Sequence, residues 1–371
     1  MTSDDTFDPN WFSPPGDTIK DVLKERNISL NDFSIRIGLP LDSLECLLRG
    51  ELKITENLAD TLAREFGGSA AFWINRELQY RRSFARIHSF PISNEIVIWL
   101  NNLPLKEMID FGWIRKFEDV HLQIVECFKF FDVTNFKSWT SKYRKIVESA
   151  AYRTSPKYLS TTGAVAAWLR RGQILSESIK CNSWDSDRFR SLLPTLRRLT
   201  RVHDPRDFMP ELQRLCGEAG VAVVVARAPS DCKASGATYF SSAKKAHIQL
   251  SCRYLSDDHF WFTFFHEAGH LILHSQQSMF FEGIEAASLQ EEEANRFSED
   301  TLIPEYLKQE FMSLPLDGRK IMRFAKLADI SPGIVVGQLQ YYNKITRRQL
   351  NNLKRRFSWE GGSSLINHDK E

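Results

Sequence analysis

His266, Glu267 and His270 stand within five residues of one another in the run Asp257–His274. If that run is a helix, the two histidines lie one turn apart on one face and can share a single metal ion. Glu267 then sits beside the metal, placed to take a proton from water that a zinc ion would acidify to a pKa of roughly 7.

His-Glu-x-x-His is the spacing used by zinc peptidases, but a five-residue match needs its surroundings to support it. A zinc site also needs a third protein ligand. His274 lies two turns from His266, about 12 Å along a helix axis, too far for one ion to hold His266, His270 and His274 together. It reads instead as a neighbour of the ligands, a substrate-side group or a surface residue, and the position ten residues beyond the motif is Gln276 rather than histidine. The helix Ser288–Phe297 offers Glu291 and Asn295 one turn apart, Glu291 as a ligand and Asn295 to orient a motif histidine. Ser288-x-x-Glu291 is equally a capping box, and Glu292 and Glu293 are equally first-turn acids favoured by the helix dipole, so the spacing leaves both readings open. Tyr239, Tyr254 and His259 are candidate partners for a developing oxyanion, and Cys232 or Cys252 a candidate inhibitory thiolate.

The elements that must position these groups are legible around them. Ser256 or Asp257 can cap the motif helix, Phe260, Phe264, Ala268 and Leu271 give it a buried face, and Gly269 marks a close approach. Upstream, Val221–Ala226, Ala237–Phe240 and His247–Cys252 alternate or run apolar as strands, with a turn at Ser241–Lys245. Such a sheet offers an edge along which an extended peptide could bind.

Nearer the N-terminus, helices are expected at Asp17–Arg26, Leu30–Ile37 after Ser29, Leu41–Arg49, Glu56–Phe66 after Thr55, and from Ser69 onward, with stops at Gly38, Gly50 and Gly67-Gly68. Short helices joined by a tight turn form a helix-turn-helix pattern. Leu41, Asp42, Ser43 and Cys46 fall where base-reading side chains usually lie, with Glu45 alongside, and Arg49 and Lys53 join Asp42, Ser43 and Cys46 as candidates for DNA contact. Carboxylates at such positions repel phosphates, and residues 17–82 carry a net charge of −1. Residues 83–215 are helical by pattern, for example over Trp139–Ala151, Ala164–Arg171 and Phe189–Val202, and offer no catalytic constellation. At the C-terminal end, Asp317–Ala328 and Ser331–Gln340 read as two more helices, and residues 317–357 carry a net charge of +8. That is either a nucleic-acid footprint or a solvated basic face.

Composition sets wider bounds. The chain has 371 residues, 26% of them charged and 42% apolar, with a formal net charge of +2. This is ordinary for a soluble protein of two or three domains. Its six scattered cysteines form no Cys-x-x-Cys pair. The polar, acidic N-terminus is not a signal peptide, and no apolar run approaches the ~20 residues of a membrane span. A cytoplasmic location is expected.

Two resemblances gather these observations. Pro15-Gly16, Ser29-Leu30, Gly38, Leu44-x-x-Leu47-Leu48-x-Gly50, Ile54-Thr55 and Phe66-Gly67-Gly68-Ser69-x-x-Phe72-Trp73-Ile74-Asn75 resemble the repressor-type helix-turn-helix of HigA-like antitoxins. His266–His274 followed by Glu291-x-x-Ala294-Asn295-x-Phe297 and Leu302-Ile303-Pro304 resembles the ImmA/IrrE family of zinc metallopeptidases. That likeness extends upstream through Gly220–Val224, Ala234–Thr238 and Asp257–Phe262, and departs at Ser298-Glu299-Asp300, where small apolar residues are usual.

The resemblances imply a mainly α fold with a small β-sheet: an N-terminal helix-turn-helix bundle, a helical middle and a zincin-like α+β peptidase domain. The expected divisions are a flexible N-terminus (1–16), the helix-turn-helix module (17–82), a helical middle (83–215), the metallopeptidase core (216–312), basic C-terminal helices (313–360) and a disordered tail (361–371). They imply a zinc endopeptidase with Glu267 as catalytic base, His266, His270 and Glu291 as ligands and Asn295 behind them. The implied substrate is a repressor or antitoxin-like protein, or the chain itself. Operator DNA is a further expected partner, and a homodimer would form through the helix-turn-helix module. The alternative is a DNA-binding repressor or antitoxin whose zinc site is structural or inactive.

Overall fold

Helix ends near the N-terminus fall where the capping residues stand. The helices are α1 (Pro15–Glu25), α2 (Leu30–Ile37), α3 (Leu41–Arg49), α4 (Glu56–Phe66) and α5 (Ala70–Ser89). Ser29, Thr55 and Ser69 each accept a hydrogen bond from the backbone N–H three residues on, opening α2, α4 and α5. Gly50 ends α3 in the left-handed region, at φ +79°, where a Cβ would be strained and would also meet the Tyr80 hydroxyl at 2.6 Å. These helices bury Ile19, Phe33, Leu44, Leu47, Leu62 and Trp73 in one apolar cluster. Helix α1 begins at Pro15, with Pro15 and Gly16 buried, so the inner end of the expected flexible start at 1–16 is helical, while 1–12 lies outside the described residues.

The computed structural model describes residues 13–143, 156–274, 280–281, 289–361 and 364–368. They are mainly helical, with a small four-stranded sheet and a two-stranded one. The chain divides into two units, Met1–Ser93 with Asp119–Val125, and Asn94–Glu118 with Glu126–Glu371. The expected boundary at 82 lies inside α5, which runs on to Ser89.

The remaining helices are α6 (Asn94–Asn101), α7 (Leu105–Asp110), α8 (Val120–Phe131), α9 (Phe136–Lys142), α10 (Pro156–Glu177), α11 (Ser186–Leu199) and α12 (Pro205–Glu218). The helix expected over Trp139–Ala151 is seen as α9, and the rest of it lies outside the described residues from 144. Strands β1 (Val221–Val225), β2 (Gly236–Ser242) and β3 (Lys245–Leu250) follow, then α13 (Asp257–Leu273), β4 (Phe280–Phe281) and α14 (Leu289–Leu302). The chain continues through α15 (Glu305–Met312), α16 (Gly318–Ala328), α17 (Pro332–Tyr341), β5 (Phe357–Glu360) and β6 (Ser364–Asn367).

The sheet order is β1-β3-β2-β4, with β1 parallel to β3 and the other pairs antiparallel. Strand β1 is apolar throughout because both its faces are covered. Val221, Val223, Ile248 and Leu250 point into the core shared with α13. On the opposite face Gln249 donates to the Trp168 carbonyl at 2.7 Å, and the Trp168 indole donates to Ala226 O at 2.9 Å, fastening α10 to the sheet. Strand β4 pairs with Ala237 and Thr238 of β2 and so forms the outer strand on that side of the sheet.

One apolar core runs from Phe189 on α11 through α12, the sheet and α13 to Ile321, Phe324 and Val335 on the C-terminal helices, and on to Phe357 and Leu365. The divisions expected at 216 and 313 therefore fall inside a single core. Periodicity could not show this, because it reports that a face is buried and not which partner buries it. The tail expected to be disordered from 361 instead supplies β6, paired with β5 and burying Leu365. The C-terminal charges are partly used up internally: Arg355 donates to the carbonyls of Thr200, Arg201 and Val202, and Lys354 is buried against Asp258. No helix among the described residues is long and apolar enough to cross a membrane.

Candidate metal centre

Helix α13 is buried almost all round, beyond the single apolar face that the sequence predicts. Its N-terminus is fastened by polar groups from far along the chain. Ser256 takes the N-cap position, yet its hydroxyl donates to Asp258 Oδ1 at 2.7 Å rather than accepting from a helix amide. Asp257 accepts from the Ser331 hydroxyl at 2.7 Å and from the Arg355 amide at 3.1 Å. Asp258 pairs with Lys354 at 2.6 Å. Gly333 and Gly337 let α17 approach, since a Cβ at either would collide with the carboxylate of Asp257 or Asp258.

Further along α13, Gly269 sets the distance to α14. A Cβ there would stand 3.1 Å from Phe297 and 3.3 Å from the Ala294 backbone. That contact brings Glu291, at the start of α14, opposite the two motif histidines. The Nε2 atoms of His266 and His270 are 3.0 Å apart. Glu291 Oε2 lies 3.2 Å from the first and Oε1 3.3 Å from the second. Both histidines are buried and Glu291 is nearly so.

The neighbours settle which ring nitrogens carry protons. Asn295 Oδ1, 3.0 Å from His266 Nδ1, can only accept, so that Nδ1 carries the proton and Nε2 presents a lone pair. Glu293 Oε2, 3.0 Å from His274 Nε2, likewise only accepts. With one proton per ring, His274 Nδ1 then accepts from His270 Nδ1 at 2.9 Å, and His270 Nε2 also presents a lone pair. Two lone pairs and a carboxylate thus converge on one point, which demands positive charge there. Protonating the rings is one way, and hydrogen bonds from His266 and His270 would then outweigh the upward push of burial and hold the Glu291 carboxyl at about 2. Burial, however, pushes His270 down from its ordinary value and opposes its protonation. A divalent ion is the better fit. Zinc with ~2.0–2.1 Å bonds at tetrahedral angles separates its ligand atoms by about 3.3 Å, close to the distances found. Among the described residues, His266, His270 and Glu291 are the group that meets this test.

Glu267 is fully buried beside this cluster, and Thr238 Oγ1 donates to its Oε2. Gly236 leaves room for it, because a Cβ at 236 would collide with the Glu267 carboxylate. Neither Thr238 nor Gly236 is singled out by sequence reasoning. Their signal was the alternation of β2, which sends Thr238 to one face and Tyr239 to the other. Tyr239 accordingly stacks on His247 at 4.6 Å, on the face away from Glu267, and is removed from the oxyanion candidates. Tyr254 and His259 stack on each other at 4.3 Å and line a cavity together with Asn295. Cys232 and Cys252 are buried thiols pushed up to about 12 by that burial, so neither serves as a thiolate. Glu293, which the sequence presents as a first-turn acid, is the partner of His274. Ser288 and Gln276 lie outside the described residues, and with Ser288 the capping reading of Glu291. At the Ser298-Glu299-Asp300 departure, Ser298 is buried and donates to Phe262 O at 2.9 Å, and Glu299 accepts from the Tyr342 hydroxyl at 2.5 Å.

The residues picked out for DNA contact lie in the first unit. Asp42, Arg49 and Lys53 are exposed, while Ser43 and Cys46 are half-buried. Arg49 is already engaged by Glu51 at 3.0 Å and Glu45 at 3.5 Å, and its Nη2 donates to Cys46 Sγ at 3.4 Å. The exposed surface of α3 therefore offers a compensated arginine and further carboxylates.

Residues 219–333 match the family model of the peptidase M78 group, described as the IrrE N-terminal-like domain, which suggests a metallopeptidase-type function for this segment. The matched span holds the converging His266, His270 and Glu291, together with Glu267, Thr238 and Ser331. That family is typically zinc-dependent. No curated protein matches the chain.

Proposed function

We propose that this protein is a zinc-dependent endopeptidase of the His-Glu-x-x-His type, with a zincin-like core and a helix-turn-helix module over residues 17–82. The observation that carries this reading is the convergence of His266, His270 and Glu291 beside the buried carboxylate of Glu267. When bound, zinc supplies Lewis acidity, polarising a scissile carbonyl and making water acidic enough to ionise near neutral pH. Glu267 takes the proton from the attacking water and returns it to the leaving amine. Thr238 holds the Glu267 carboxylate in one orientation, and Asn295 and His274 fix the rings that face the metal. Tyr254 and His259, which line the cavity together with Asn295, are the candidates for steadying an oxyanion.

The substrate in this reading is a repressor or antitoxin-like protein of the cytoplasm, or the chain itself, with the N-terminal module supporting a homodimer. Purified wild type is expected to carry stoichiometric zinc and to cleave such a protein. Glu267→Gln should keep the zinc and lose the cleavage. Cleavage unchanged in that variant rejects the assignment.

A second reading is a DNA-binding repressor or antitoxin in which the metal is structural or inactive. The turn between α2 and α3, whose outer face is exposed, favours it, and the Glu45–Arg49–Glu51 cluster opposes it. A mobility shift of operator DNA at low salt, abolished by Arg49→Ala and Lys53→Ala, would support it.

A further inference from the structure

Beside the metal ligands lies a cavity of about 760 Å³, within the size range of ligand sites. It adjoins the metal centre through Asn295, whose side chain bonds His266, and through Thr263, one turn before His266 and Glu267 on α13. Its charged lining is unbalanced. Lys354 is neutralised by Asp258 at 2.6 Å, with both side chains buried. Arg347 and Arg356 are exposed to the cavity, and neither has a carboxylate within ion-pair distance among the described residues. His259 adds little charge of its own, because burial lowers its pKa and favours the neutral ring.

Both arginines sit on fastened backbone. The carbonyl of Arg347 accepts from Asn351 Nδ2 at 2.9 Å and from Gln340 Nε2 at 3.4 Å. Arg356 bridges to Ser256 just ahead of α13, and its carbonyl accepts from the His368 amide at 2.8 Å. Two cations on backbone held this way, in a cavity also lined by the stacked Tyr254 and His259, attract an anion. The concave shape and the proximity to the ligands favour a side chain of an extended polypeptide over the phosphates of a convex duplex.

We propose that this cavity is a specificity subsite that takes an acidic side chain of the polypeptide next to the bond being cut. The proposal rests on the peptidase reading above and adds the class of residue recognised.

The test uses full-length Glu267→Gln protein, zinc-loaded and chelator-treated, and three labelled heptapeptide pools that differ only in a fixed central residue: Glu, Gln or Lys. Binding is read by fluorescence anisotropy, and cleavage of the same pools by the wild type. The Glu pool should bind about tenfold tighter than the Gln pool, as expected for a charge-assisted hydrogen bond. The Arg347→Glu/Arg356→Glu variant should invert the order of Glu and Lys. Arg319→Glu/Arg348→Glu, an equal change of charge outside the cavity lining, should leave the order intact. Equal binding of the three pools, or an order unchanged by the reversal, overturns the subsite. So does a 20-base-pair duplex that displaces the Glu pool and loses its own binding in the reversal variant. Preference and inversion without cleavage would keep the subsite and reject the peptidase. Cleavage without preference would do the opposite.

Discussion

The Nδ1 atoms of His270 and His274 lie 2.9 Å apart, and the far nitrogen of His274 lies 3.0 Å from Glu293. His274 thus stands outside the group of His266, His270 and Glu291 that could hold an ion, but holds the ring of His270. Partners of this kind typically cost 10- to 100-fold in metal affinity when removed. His274→Ala is expected to weaken zinc binding within that range in a chelator competition. Glu293→Gln should cost less because Glu293 is largely exposed. His270→Ala should abolish binding.

Gly236 faces the Glu267 carboxylate, the proposed base, so closely that a methyl group there would displace it. Gly236→Ala should therefore lower kcat by ~100-fold or more, as a misplaced catalytic group does. Zinc content should stay at the wild-type level, since no ligand moves. Loss of zinc in this variant would show that position 236 supports the fold of the centre and not the pose of Glu267.

Lys354 and Asp258 form a buried pair, each with 6% of its side chain exposed. Removing one partner of such a pair costs about 3–5 kcal/mol by leaving the other charge unpaired. Lys354→Met is expected to lose that much in urea unfolding. Lys354→Met/Asp258→Leu should recover much of it.

Asp257 gives a dependence on pH. Burial, reinforced by the neighbouring Asp258, raises its carboxyl to about 6, against the lowering effects of the Ser331 hydroxyl and Arg355. The folded state thus binds this proton more tightly than the unfolded chain, whose carboxyl titrates near 3.8. The group's contribution to stability is present below pH 4 and lost as pH rises through 6. Asp257→Asn, which cannot ionise, should gain on the wild type by roughly 2–3 kcal/mol between pH 4 and pH 7, measured by urea unfolding across that range.

What could be read in advance followed from local rules. Ser29, Thr55 and Ser69 mark helix starts by short-range bonding, and the strands near 221, 237 and 247 by apolar alternation. Local spacing puts His266 and His270 one turn apart on one helix, but leaves Glu291 open between a ligand and a cap. What could not be read depends on pairing across the chain. Asp257 and Asp258 look like ordinary first-turn acids, and only contact with Ser331, Lys354 and Arg355 shows them to be internal. Thr238 looks like any strand threonine until register sets it against Glu267. The basic tail looked solvated because a composition cannot show that Arg355 spends its donors on the carbonyls of residues 200–202.

The fastening of α13 by residues so far downstream orders events during synthesis. The motif helix leaves the ribosome with two adjacent carboxylates and no counter-ion, and Lys354 follows 96 residues later. A nascent chain halted before Lys354 already holds His266, His270 and Glu291, yet its helix has neither the buried cation nor the Arg355 clasp. The N-terminus of the motif helix therefore gains its full set of polar partners only after Lys354 and Arg355 have been made.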